Sequence, residues 1–237
     1  MFPERVDHIL EGQRRVSMHQ VKSLIARAQR TIEEQSVSSR EQAVRYDRIL
    51  RRQREILYGA RNRLLDGDAV PEDQMRSIVH QNLRRFVDAN PSPTQGQLNR
   101  YVLDNLTYEL DEAVLSRFIS KGGTSALLSG METYADRLYD EKVASFSSRD
   151  ELEAFMRACM LKALDEGWVE EVDYLQQLQY AITSRGTAQR NPLFEYSREA
   201  YRSFSEMESS MMEGIARNFF LAEEQLGRDG KRKILFP

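Results

Sequence analysis

Cysteine occurs once in this chain of 237 residues, histidine three times, proline six times and glycine 12 times. A single cysteine, Cys159, closes no internal disulfide, and there is no cysteine–histidine set for a structural zinc. That usage suits a reducing compartment. Cys159 sits among Phe155, Met160 and Ala163 and reads as a small buried hydrophobe, not a nucleophile. No apolar run approaches the roughly 20 residues that a membrane span needs. The opening residues, MFPERVDHILEGQRR, are charged too early for a secretory signal. No strand–turn–helix nucleophile elbow is visible, and strand content reads as close to nil. A net charge of −3 argues against a whole-chain binder of polyanions.

What is present favours helix. Arg, Glu, Gln, Leu and Ala are abundant, and 41% of the chain is hydrophobic against 30% charged. After a lead-in over Met1 to Gly12, Val21, Leu24, Ala28 and Ile32 predict a helix from Val16 to Glu34. Ser36-Val37-Ser38-Ser39 predicts an interruption, with Ser38 or Ser39 capping the next helix. That next helix, Arg40 to Leu65, carries Ala43, Tyr46, Leu50, Leu57, Ala60 and Leu64 near a seven-residue repeat broken by Gln53. Its other faces hold eight arginines against three acids between Arg40 and Arg63. A solvated, salt-bridged surface accounts for them, and so does a docking face for an acidic partner. Nucleic acid is disfavoured, because no stacking aromatics or reader motif accompany them.

Asp66-Gly67-Asp68 ends that helix, and Pro71 starts another bearing Met75, Ile78, Val79, Leu83, Phe86 and Val87. Asn90-Pro91-Ser92-Pro93-Thr94 is a loop, followed by a helix with Leu98, Val102, Leu106 and Leu110. Val114 to Ile119 forms a turn or two of helix. Gly122-Gly123-Thr124-Ser125 lacks the Gly-Lys-Ser/Thr of a phosphate loop and reads as a helix break capped by Thr124. A further helix runs from Leu127 to about Phe146. Ser148 and Glu151 form a capping box for a helix that tolerates Gly167.

Trp168, Val172, Leu175, Leu178 and Ile182 share one face of that helix. The pattern stops at Arg185-Gly186, and Pro192 suits the first turn of a new helix. Ala200, Phe204, Met207, Met211, Ile215, Phe219 and Ala222 form its stripe. Two helices with so short a joint return antiparallel and pack their stripes together. The return helix is expected to end near Gly227, leaving a frayed basic tail from Arg228 to Pro237. Asp165, Glu166, Glu170, Glu171 and Asp173 have no histidine near and read as a solvated acidic face. His8 and His19 read as surface residues.

This hairpin resembles the two-helix finger of the SecA protein-translocase motors. The family's finger opens on a Trp and turns through Arg-Gly-x-Ala-Gln-x-x-Pro. Trp168, Arg185, Gly186, Ala188, Gln189 and Pro192 match, as do Glu195, Tyr196, Glu199 and Phe204 beyond them. The family's long scaffold helix resembles the segment holding Ala28-Gln29, Glu33, Arg40, Tyr46-Asp47, Gln53-Arg54, Ile56, Tyr58 and Arg61. The likeness covers roughly Val21 to Leu226 and is weakest between Gly67 and Ser147. Departures are Thr187 for a Tyr, Glu171 for a His, Gln176 for an Asp, Gln179 for an Arg, and Val37 for an Asn-aromatic pair. They suggest an accessory SecA.

The resemblance implies an all-α protein with a long scaffold helix, a small helical wing and an antiparallel two-helix finger. Its parts would be 1–67 (scaffold), 68–147 (wing), 148–227 (finger) and 228–237 (tail). It implies that Arg185, Gly186, Thr187, Ala188, Gln189, Arg190, Asn191 and Pro192 contact an unfolded preprotein and a SecY-type membrane channel. It implies that Arg40, Tyr46, Asp47, Gln53, Arg54, Tyr58 and Arg61 face a SecA motor domain. The chain shows no Walker A loop, Asp-Glu-x-Asp motif or Cys-rich tail, so ATP and magnesium would belong to that motor, and this chain alone is expected to hold no cofactor or metal and not to hydrolyse ATP. It would be a fragment or the product of a split gene, cytoplasmic and peripheral to the membrane. The alternative is a stand-alone helical adaptor unrelated to export; a weaker rival is an RNA-binding domain, marked by steep salt dependence.

Overall fold

The computed structural model describes residues 18–67, 72–120, 122–184, 192–226 and 232–237. Seven helices follow one another among these residues. They are α1 (Met18–Leu65), α2 (Glu72–Ala89), α3 (Gln95–Asn105), α4 (Glu112–Ser120), α5 (Thr124–Ala144), α6 (Arg149–Ser184) and α7 (Pro192–Leu221). Two short strands, β1 (Glu223–Leu226) and β2 (Arg232–Leu235), close the chain. The fold is all-α apart from this hairpin.

The chain divides into two compact units, Met1–Ile49 and Leu50–Pro237. In the first unit, α1 exposes Met18, Val21, Ile25, Ile32, Val37 and Val44, whereas Tyr46 is buried. The interruption expected at Ser36–Ser39 does not occur, and α1 is one helix of 48 residues. Serine is only a mediocre helix former, and neither Pro nor Gly is present to break the ladder. The Arg40 guanidinium also donates to Ser36 Oγ at 2.9 Å, one turn back.

In the second unit, α2, α3, α4 and α5 surround a core with the first part of α6 and the last part of α7. Met75, Leu83, Val87, Leu98, Val102, Leu115, Met131 and Met156 are fully enclosed there. Aromatic rings fix its centre. Tyr139 stacks on Phe219 with centroids 4.8 Å apart, and Phe155 meets Phe219 edge-on at 6.2 Å. A charged ladder lies alongside. Arg76, His80 and Arg84 of α2 face Asp140, Asp136 and Glu132 of α5, each set spaced by four.

Local signals set the breaks. Thr94 caps α3 in a reciprocal box with Gln97. Helix α3 ends at Asn105, so Leu110 lies outside it. Gly122 and Gly123 take positive φ of 70° and 85° between α4 and α5. Gly123 is the N-cap of α5 and makes no side-chain cap bond, so Thr124 is the first helical residue, not the cap. Ser148 Oγ accepts the Glu151 N–H at 3.2 Å, while the Glu151 carboxylate reaches back to the Ser147 N–H.

The C-terminal end departs from expectation. Helix α7 stops at Leu221, not near Gly227, and β1 and β2 pair antiparallel with Glu224 opposite Ile234. Residues read as a frayed tail therefore include a strand. Ile234 and Phe236 pack against this core, and Lys142 Nζ donates to the Ala222 carbonyl at 2.6 Å. Alternating Ile234 and Phe236 suit a half-covered strand, a period-two pattern too short to stand out in the sequence.

Candidate functional site

The finger is built from α6 and α7. Cys159 meets Asn218, Ala163 meets Gly214, Gly167 meets Met211 and Glu171 meets Ser203. One number rises as the other falls, so the arms run antiparallel. The interleaved stripes bury Trp168, Leu175 and Ile182 on α6 and Tyr196, Ala200, Phe204, Met207 and Met211 on α7. The absence of a side chain at Gly167 admits this approach, since a Cβ there would stand 2.8 Å from Met211 Cγ. The tip residues Arg185, Gly186, Thr187, Ala188, Gln189, Arg190 and Asn191 lie outside the described residues. Pro192 is the first residue of α7 and is exposed.

The part of α1 beyond Leu50 lies against the root of the finger. Leu57 joins Leu164, Trp168, Phe204, Met207 and Met211 in a small apolar cluster. Tyr58 meets Trp168 edge-on at 6.3 Å, with the Arg54 guanidinium 5.8 Å above the Tyr58 ring. Arg61 Nε donates to Asp165 Oδ1 at 2.7 Å and Nη2 to Oδ2 at 3.2 Å, a forked pair. That bond holds the Arg61 pKa above its ordinary value.

Gln53 is enclosed, with 2% of its surface exposed, and its Nε2 donates to the Ala200 carbonyl at 2.8 Å. Beside it, Ser203 Oγ donates to Glu171 Oε1 at 2.8 Å. Glu171 is buried, and desolvation pushes its carboxyl above the usual range against the pull of bonds from Ser203 and Gln53. Glu171 therefore leaves the solvated acidic face on which the sequence placed it. Asp165 is likewise occupied by Arg61. Asp173, Glu166 and Glu170 remain exposed.

Of the residues expected to face a motor, Arg54, Tyr58 and Arg61 gather at the finger root, and Gln53 is turned wholly inward. Arg40, Tyr46 and Asp47 belong to the other unit, where Tyr46 is buried and Arg40 and Asp47 are exposed. Three amides join helices at places that no sequence motif marks. Gln53 holds the Ala200 carbonyl, Asn82 the Met212 carbonyl at 2.8 Å, and Asn218 the Cys159 carbonyl at 3.3 Å. Each is a side-chain bolt from one helix to the backbone of another. One signal was visible: a glutamine in an apolar stripe either breaks the seam or is buried with a partner. Cys159 is buried and its thiol is pushed up to about 12 by desolvation, which keeps it inert.

Beside the root lies a cleft of about 660 Å³ floored by Leu57, Leu64, Met160, Leu164, Met211 and Ile215. Arg63, Arg85 and Glu208 stand among its lining residues. Among the described residues no cluster of His, Cys, Asp or Glu could hold a metal, and no helix is long and apolar enough to cross a membrane.

The family model of the SecA Wing and Scaffold domain matches residues 15–223. The chain is 32% identical over 231 residues to a protein translocase subunit SecA 2 of Streptococcus agalactiae, covering 95% of this chain and 27% of the relative. It is 32% identical over 226 residues to the Streptococcus sanguinis protein of that name, covering 95% and 28%. A Staphylococcus aureus protein, also so named, is 29% identical over 218 residues, covering 92% and 27%. The chain thus spans little more than a quarter of the length of these relatives.

Proposed function

This chain belongs to the SecA wing and scaffold family, and from that premise we propose that it serves protein export as the lever of an accessory translocase. In this reading a separate motor domain binds ATP and magnesium, hydrolyses the nucleotide and displaces α1. The finger carries that displacement to an unfolded preprotein at a SecY-type membrane channel. The work is done at the cytoplasmic face of the membrane, from outside the lipid.

The observation that carries the proposal is the joint between α1 and the finger. Gln53 grips the α7 backbone, Arg61 grips Asp165 of α6, and Tyr58 rests on Trp168. A pull on α1 is therefore delivered to both arms of the finger. Packed helices move as bodies because their interfaces are close-packed and bistable, not continuously deformable. No side chain of the chain performs chemistry in this scheme; the finger transmits force and the tip meets the cargo. Arg185, Gln189, Arg190 and Asn191 supply hydrogen-bond donors and acceptors that suit any polypeptide backbone.

The face of α1 in the first unit supports a second contact. Val21, Ile25, Ile32 and Val44 are exposed there on one helix, with Arg40 and Asp47 nearby in sequence. Isolated apolar residues on a surface mean little, but a run of them on one helix marks a surface that another body covers. In this proposal that body is the motor.

The test is a binding assay with the whole chain as bait. Capture of a purified SecA motor domain, weakened by Ile25→Glu with Ile32→Glu, supports the lever. Capture of neither motor nor channel leaves the stand-alone adaptor.

A further inference from the structure

Beside the joint of α1 and the finger, four helices leave a cleft open: α1, α2, α6 and α7 all line it. We infer that this cleft is a binding site for a single-chain anionic amphiphile, a long-chain fatty acid. The alkyl chain lies on the apolar floor, and the carboxylate meets Arg63 and Arg85.

The floor decides the body of the ligand. It offers water almost no hydrogen-bond partner, so an alkyl chain that displaces that water gains free energy by burial. Ile56 at the edge extends the apolar surface outward and is 47% exposed. Met160, Met211 and Met212 line the cleft, and methionine, unbranched and polarizable, adapts to a flexible chain. The volume of about 660 Å³ falls in the range of about 300–1,000 Å³ that encloses one small ligand. Two turns of helix about 10 Å across fill roughly 850 Å³, so a partner helix is larger than the cleft and could only rest across its mouth.

Charge decides the head. Two guanidiniums line the cleft against one carboxylate, that of Glu208. Arg63 and Arg85 are exposed, and neither forms an ion pair among the described residues. Their neighbours do: Arg61 reaches Asp165, and Arg84 reaches Glu132. Arg85 Nη1 donates to the Ser209 carbonyl at 3.0 Å, which holds the group against α7 at the edge of the cleft. That bond uses one of its five N–H donors. A carboxylate takes two parallel N–H bonds from such a planar group. A cationic head would instead face two like charges, and a neutral head would forgo both pairs.

The site does not depend on the lever reading, because the chain should take up the acid with no motor or channel present. Calorimetric titration of the 237-residue chain with dodecanoate, kept monomeric, should show one saturable site. Each methylene added between decanoate and dodecanoate should tighten binding about fourfold where the chain is buried. Arg63→Gln with Arg85→Gln should weaken dodecanoate by about fivefold, an effect that fades with salt, and leave dodecanol unchanged. Ala60→Phe fills the cleft from α1 and should abolish uptake of both. Should that variant fail to fold, Ser205→Phe fills it from α7. Dodecanoate should also raise the unfolding midpoint, as any ligand of the folded chain does. The proposal is overturned by the absence of a saturable site, or by dodecanol or dodecyltrimethylammonium binding as tightly as the acid. Uptake that persists in the filled variants overturns it too, and so does a midpoint that falls with dodecanoate, the mark of detergent action. Retention on phosphatidylglycerol vesicles without uptake of the monomeric acid would assign the two arginines to a membrane surface and likewise overturn it.

Discussion

Two regions of the second unit hold their helices together in different ways. In the larger core, the centre is aromatic: Tyr139 of α5, Phe155 of α6 and Phe219 of α7 interlock, with fully buried Leu83, Leu98 and Leu115 around them. At the finger root, six buried apolar residues suffice, two of them methionine, and buried Gln53, Glu171 and Ser203 lie beside them. The larger core is held by interlocked rings on three helices. The root joins three helices through few apolar side chains and several directional bonds. A deep aromatic core is held by area and shape, whereas the thin root relies on adaptable side chains and on bonds from Gln53, Arg61 and Ser203.

The sharpest way to break this comparison is to truncate one ring in each region. Phe219→Ala should cost about 3–5 kcal/mol, because the surrounding rings cannot collapse into the space. Phe204→Ala should fall at or below about 3 kcal/mol, since adaptable methionines border it. Trp168 is the only tryptophan and lies in the root cluster, so its fluorescence reports that region while circular dichroism reports the whole. Phe204→Ala should move the fluorescence transition ahead of the dichroism transition; Phe219→Ala should move both together. Equal costs and coincident transitions in the two variants would end the distinction.

Glycine substitutions sharpen it at a smaller scale. A Cβ on Gly130 would stand 2.6 Å from the Phe118 ring, and one on Gly167 2.8 Å from Met211 Cγ. Gly130→Ala should lose about 1–3 kcal/mol by overpacking against a planar ring. Gly167→Ala should lose less, because a methionine chain yields where a ring does not, and both positions regain the same helix propensity of about 1 kcal/mol. Denaturant midpoints that rank the other way would argue against an adaptable root.

The next effect is one of sign. Burial raises the Glu171 pKa in the folded state, with Glu206 adding repulsion. A carboxyl whose folded pKa exceeds its unfolded value costs stability above the folded pKa and loses that cost as pH falls through it. Glu171→Gln should therefore be more stable than the parent near neutral pH, and the difference should shrink toward acid. A difference that grows toward acid would contradict the burial of this group. The smallest effect belongs to Arg61→Ala. Its pair with Asp165 is half-exposed, so any loss of midpoint should fade as salt is raised.

Much of this architecture could be read from spacing. The stripes of Trp168 to Ile182 and Ala200 to Phe219, broken by Gly186 and Pro192, foretold two arms that double back, and the two arms do. Cys159 was legible as core for the same reason: its neighbours at helical spacing are apolar. Ser36–Ser39 misled because four middling residues look like a stop, although each alone costs a helix only tenths of a kcal/mol. The terminal hairpin was missed because a four-residue strand carries almost no periodic signal, and its covering surface is supplied by the helical core and not by itself.

The chain's own order of apolar and polar residues determined that helices form, where most of them end, and which stripes must be hidden, because these depend on propensity and period within a single segment. Only the packed molecule decided that Gln53 and Glu171 go inside and that Asp165 is spoken for. A polar side chain's burial depends on which carbonyl or hydroxyl a distant helix brings to it, and no local pattern encodes that meeting.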